Sequence, residues 1–144
     1  MINETVQIKG SILIEKGING KITDSLSQSN LVVSGGKNFF AERILGFSNR
    51  LIDTIAIGSS SISAQLTDVE LLDERAKRDI EFSQRENNIL LFLATFPEGV
   101  GSGVIREVGL FDNNDIMICR SVLQTQFTKT ENEFLNVTWK LQIG

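Results

Sequence analysis

The chain contains no histidine and no tyrosine, and only one cysteine, one proline and one tryptophan in 144 residues. Without histidine, the commonest general base and the commonest metal ligand are both missing. Catalysis would have to rest on cysteine, on paired carboxylates or on a serine activated by lysine. A lone cysteine, Cys119, excludes an intramolecular disulfide and a cysteine-based metal site. Positive charge is also short: the formal net charge is -4, so no overall positive field recruits phosphate backbones or anionic lipid. Neither nucleic acid nor membrane is expected as a partner. No apolar run approaches the roughly 20 residues that span a bilayer, and Met1-Ile2-Asn3-Glu4 does not open a signal peptide. Synthesis and retention in the cytoplasm are the expectation until assembly or lysis.

What is present suits a folded chain. Hydrophobic residues make up 41% and charged residues 22%, far from the composition of a disordered segment, and the length fits one domain over residues 1–144. Val6, Ile8, Ile12 and Ile14 recur at the period of a half-buried strand. Asn19-Gly20 then supplies a tight hairpin turn before Lys21-Ile22-Thr23. Ser25 to Asn30 reads as a polar connection leading to Leu31-Val32-Val33. Lys37 to Leu45 has Phe39, Phe40 and Ile44 at helical spacing, and Gly46 suits a helix C-terminus. This predicts one short helix whose two phenylalanines plug an end of the core.

Asp53 to Gly58 reads as a short strand and Ser59 to Ala64 as a loop, while Thr67-Asp68-Val69-Glu70 has the spacing of a capping box and predicts a second helical turn. Asp73 to Asp79 alternates charge in the manner of a solvated rim. Strands are expected over Arg78–Ser83, Ile89–Phe96, Val104–Phe111, Ile116–Leu123 and Glu133–Ile143, separated by turn residues. The fold class is therefore mainly β, an antiparallel β-sandwich or barrel with one short helix.

Tests for chemistry return structural answers. Cys119 sits in an apolar strand with no histidine to activate it and reads as a structural thiol, on one face with Met117 and Ser121. Asp112 and Asp115 flank Asn113-Asn114 in a turn, where such side chains bond their own backbone. The ligand ladder, glycine and terminal glutamate of a calcium loop are missing. Gly99-Val100-Gly101-Ser102-Gly103 leads into a strand and not into the helix that a phosphate loop needs. No catalytic residue, metal or cofactor is expected, and the chain is not read as an enzyme.

Three segments carry a resemblance: Asn30 to Gly46, Ile52 to Ser59 and Gly103 to Asp112, with Val137 to Gly144 closing the chain. Together they resemble a set found in small virion proteins of tailed bacteriophages. Ile105, Glu107, Gly109, Leu110, Phe111 and Asp112 match, position by position, the Ile-x-Glu-x-Gly-Leu-Phe-Asp pattern of N-terminal modules in tail-collar and tail-fibre proteins. The resemblance implies a β-rich module at the baseplate or fibre attachment, present in symmetric copies and partnered by other virion proteins, hence a homo-oligomer in the tail region of the particle. With no coiled coil or triple β-helix after the module, an adaptor, a short-fibre base or a decoration protein is expected and not a long fibre. Head decoration and host-surface carbohydrate binding are the alternatives; one tryptophan and no tyrosine weigh against the latter.

The residues themselves add two expectations. Alternation puts Ile105, Glu107, Gly109 and Phe111 on one face of a strand read as buried on both sides, where a buried Glu107 requires a hydrogen-bonded or cationic partner; an edge-exposed Glu107 is the alternative. Candidate contact residues are Val6, Ile8, Ile12 and Ile14 in the hairpin and Ile62 and Leu66 in the loop over Ser59–Leu66.

Overall fold

The alternation of the first segment becomes strand β1 (Ile8–Ile18) in the computed structural model, which describes residues 7–144. Asn19 (φ 52) and Gly20 (φ 77) form the turn into β2 (Lys21–Val32), and two successive positive φ angles give the twist that a hairpin needs. β2 corrects the expected polar connection. Ser25 to Asn30 continue the strand, pairing with Glu15 to Gly10; exposed Ser25, Ser27 and Ser29 alternate with half-buried Leu26, Gln28 and Asn30.

Helix α1 (Ser34–Leu45) follows. It stops at Gly46 (φ 74), whose N–H bonds the Arg43 carbonyl at 3.1 Å while the Phe47 N–H bonds that of Glu42 at 2.9 Å, satisfying carbonyls the last turn leaves unpaired. Phe39 is buried and Phe40 half-buried, edge to face at 5.3 Å, and both pack on the main core as expected. The helix approaches closely because a Cβ at Gly35 would stand only 2.8 Å from the Met117 carbonyl.

The remaining strands are β3 (Ile52–Gly58), β4 (Glu74–Asp79), β5 (Phe82–Glu86), β6 (Ile89–Phe96), β7 (Gly103–Asp112), β8 (Met117–Lys129) and β9 (Phe134–Ile143). They join β1 and β2 in an antiparallel sheet ordered β4-β3-β7-β8-β2-β1-β9-β6-β5. The expected strand over Arg78–Ser83 is instead split by a corner at Ile80-Glu81. There the Ile80 N–H bonds the Asp53 carbonyl in β3 and the Glu81 N–H bonds that of Leu93 in β6, so the two ends of the sheet meet. The sheet thus curls around one main core in which Ile12, Ile14, Ile55, Ile57, Phe96 and Trp139 are buried.

Candidate interaction site

The segment Ile105 to Asp112 lies in β7 between β3 and β8, buried on both faces. Its faces differ from simple alternation. Pairing with β8 jumps from Ile105↔Phe127 to Glu107↔Val122, so Arg106 alone stands against Leu123 to Gln126 and the extra residues of the irregularity lie in β8. Ile105 therefore joins Val108 and Leu110 in the main core, whereas Phe111 packs with Val33, Ala56, Leu71 and Met117 in a second cluster on the opposite face. A further register shift between Leu110 and Phe111 sends Met117 to that cluster and Cys119 to the main core, so these two do not share a face.

Glu107 is fully buried. Its carboxylate accepts from Arg120 Nε at 3.3 Å and Nη2 at 3.1 Å, and from the backbone N–H groups of Ser60 (3.0 Å), Leu72 (3.0 Å) and Asp73 (2.8 Å). Arg120, equally buried, donates its remaining arm to Asp68 Oδ2 at 3.0 Å. Residues from β7 and β8 thus hold both ends of the segment Ser59–Asp73 against the sheet. A carboxylate with five donors meets the burial cost that an unpaired one could not. The same network explains why the capping-box segment is not a helix. Asp68 is drawn to Arg120 and to the Gln65 N–H, and the N–H groups of Leu72 and Asp73 are taken by Glu107.

Gly109 admits the loop: a Cβ there would meet Phe111 Cε1 at 2.9 Å and Leu71 Cδ2 at 3.0 Å. Asp112 braces the next turn. Its Oδ1 accepts from the N–H groups of Asn114 (2.8 Å) and Ile116 (2.9 Å), and its Oδ2 lies 3.2 Å from Arg50 Nε. Arg50 also reaches Glu42 of α1 at 2.9 Å, which ties the segment after the helix to the β7–β8 turn. Asp115 pairs with Lys77, whose ammonium sits 4.0 Å from the Phe111 ring centre.

Other titratable groups follow from local contacts. The Ser59 hydroxyl, aided by Arg75, holds the Asp73 carboxyl below its ordinary range. Burial lowers the Lys129 ammonium, which donates to the Pro97 carbonyl at 3.0 Å, and pushes the Cys119 thiol up to about 12. Such a thiol is protonated and unreactive at neutral pH.

The candidate contact residues separate. Val6 lies outside the described residues. Ile8 is half-buried on the main core, and Ile12 and Ile14 are corrected from contact residues to core residues, because their face of β1 lines the inside of the curled sheet. Ile62 and Leu66 are exposed, in company with Val69 and Leu72 of the same braced segment. A second apolar group lies at the end of α1 and just after it, where Ile44 and Phe47 are 81% and 79% exposed and Leu45 and Leu51 are exposed too. Sequence reasoning assigned Ile44 to the helix pattern and passed over Phe47, Leu51 and Arg120. The available signal for Arg120 was a lone charge within Met117-Ile118-Cys119-Arg120-Ser121-Val122; none marked the others. No family model, curated protein or solved structure matches this chain.

Proposed function

We propose that this chain is a structural protein of a tailed-phage virion, acting in the tail or baseplate region as an adaptor or short-fibre base through self-association and docking to other virion proteins. The observation that carries the reading is the display of large apolar side chains, Ile44, Leu45, Phe47 and Leu51 in one stretch and Ile62, Leu66, Val69 and Leu72 in another, on backbone anchored from below. Exposed apolar groups of this size mark interaction surfaces. The anchors are Glu107, Asp112 and Gly109, members of the very segment that resembles tail-collar and tail-fibre modules. The buried polar groups of that segment bind backbone and arginine, a division of labour suited to presenting a surface.

Quantitative mass spectrometry of purified, fractionated particles tests the reading. The expected result is the chain in the tail fraction at a copy number of cyclic symmetry. Lattice stoichiometry on the capsid would replace the tail assignment with head decoration, and absence from particles would sink both.

A further inference from the structure

Two strands end the sheet, and they are guarded differently. β4 carries Glu74, Arg75, Lys77, Arg78 and Asp79, and its pairing with β3 is broken by a register shift at Ile57/Gly58; charge and irregularity of this kind deter edge-to-edge pairing. β5 reads Phe82-Ser83-Gln84-Arg85-Glu86, with no lysine, proline or bulge, and all five residues are exposed. The β5–β6 hairpin is also held in place. Its turn is tied to β9 by the Ile143 N–H on the Asn88 carbonyl and by Asn88 Nδ2 on the Ile143 carbonyl, both at 2.9 Å.

The register decides which backbone groups are free. The two-residue turn Asn87-Asn88 closes on Glu86↔Ile89, the mutually bonded pair of such a hairpin. Bonding pairs then alternate, so Gln84 and Glu86 direct N–H and C=O toward β6, and Ser83 and Arg85 direct theirs to the open side. The open groups lie symmetrically about Gln84.

We propose that β5 pairs antiparallel with β5 of a second copy of this chain about a two-fold axis at Gln84. Ser83 then faces Arg85 of the second copy and Arg85 faces its Ser83, and every outward backbone group of the two residues is bonded without any other chain. An isologous contact requires such self-complementarity. On the outer face Phe82, 53% exposed, is brought opposite Glu86 of the second copy, and Gln84 meets its own counterpart, so each side chain gains a cross-strand neighbour. Half-buried Leu91 and Leu93, next to Gln84 and Phe82 in the ladder, lie on the same face and extend the covered apolar surface. This inference rests on the self-association part of the reading above and not on the place of the protein in a particle.

The test combines three variants of the full chain. Ser83→Pro removes an outward N–H and leaves the β6 ladder intact; Gln84→Cys places two thiols across the axis, at a spacing that a disulfide can bridge; Ser27→Cys, exposed on β2, is the control. The expected results are a dimer by light scattering, half that mass for Ser83→Pro with an unchanged circular dichroism spectrum, and a disulfide-linked dimer from Gln84→Cys alone under mild oxidation. A wild-type monomer at every concentration, an oligomer that survives Ser83→Pro, or cross-linking of Gln84→Cys no greater than that of Ser27→Cys would each overturn the pairing. Should Ser83→Pro fail to fold, the two cysteine variants still decide. A chain that dimerises through β5 yet is absent from particles sinks the virion reading alone; a particle-borne chain without β5 pairing sinks this inference alone.

Discussion

In the half of the sheet built from β1, β9 and β6, pairing runs unbroken from Ile8↔Ile143 to Gly17↔Phe134 and from Ile89↔Gln142 to Phe96↔Leu135. Ile12, Ile14, Val137, Trp139 and Leu141 point into the core, and Trp139 meets its single polar need by donating to Asn30 Oδ1 at 3.0 Å. In the half built from β3, β7 and β8, the register breaks between Ile52 and Thr54, between Ile105 and Glu107, and between Leu110 and Phe111. Both faces of β7 are covered there, and one of them holds an ion pair. The first half is stabilised by burying one face of a regular ladder. The second gives up regularity so that charged side chains can fix loops, and exposed Ile62, Leu66, Val69 and Leu72 sit on one such loop.

The sharpest way to break this contrast is Glu107→Ala. It leaves the buried Arg120 with Asp68 as its one remaining carboxylate and frees three backbone N–H groups, so a loss of about 3–5 kcal/mol is expected in urea unfolding. The double variant Glu107→Leu with Arg120→Met should recover much of the loss in global stability, while hydrogen exchange over residues 59–73 stays faster than in wild type, because apolar side chains cannot anchor that backbone. In the regular half, Trp139→Phe should cost about 2 kcal/mol through lost volume and the lost bond to Asn30, with little change in loop exchange. Equal loop acceleration by both substitutions would erase the distinction between the halves.

Gly109→Ala should cost about 1–3 kcal/mol, because Phe111 and Leu71 must both give way to the added methyl. Cys119 supplies a test by pH. Burial raises its folded pKa to about 12 from an ordinary value near 9.0. The stability linked to the thiol proton is therefore fully present below the unfolded value and is lost as pH rises toward the folded one, by about 1.4 kcal/mol per unit. Urea midpoints measured up the alkaline range should fall faster for wild type than for Cys119→Ala; parallel curves would refute this. The smallest stability effect is expected for Phe47→Ser, within about 0.5 kcal/mol. Loss of binding to purified tail fractions by that folded variant would place the rim after α1 in the docking surface, and unchanged binding would remove it.

How far residues could be read in advance follows the same division. The Asn19-Gly20 turn, the strand over Ile89–Phe96, the strand period of β1 and the helix stop at Gly46 rest on period and local turn chemistry, and they stand in the structure where those rules put them. The continuation of β2 through Ser25–Asn30 was hidden because its outward positions are serines that look like a loop until β1 lies beside them. The need of Glu107 for a partner was legible from its apolar surroundings. The identity of that partner was not, since Arg120 arrives from the next strand beyond the register break between Leu110 and Phe111, which no alternation pattern records.

By itself, then, the sequence determined a mainly β chain with one short helix, a buried tryptophan strand and an unreactive cysteine, because hydrophobic period, turn residues and the absence of histidine act locally or by exclusion. Only the tertiary structure decided that Ile12 and Ile14 are core, that Ile44 and Phe47 are surface, and that Asp68, Glu107 and Arg120 form one network. Burial and charge pairing depend on which strands lie side by side, and that arrangement is set by the curl of the whole sheet.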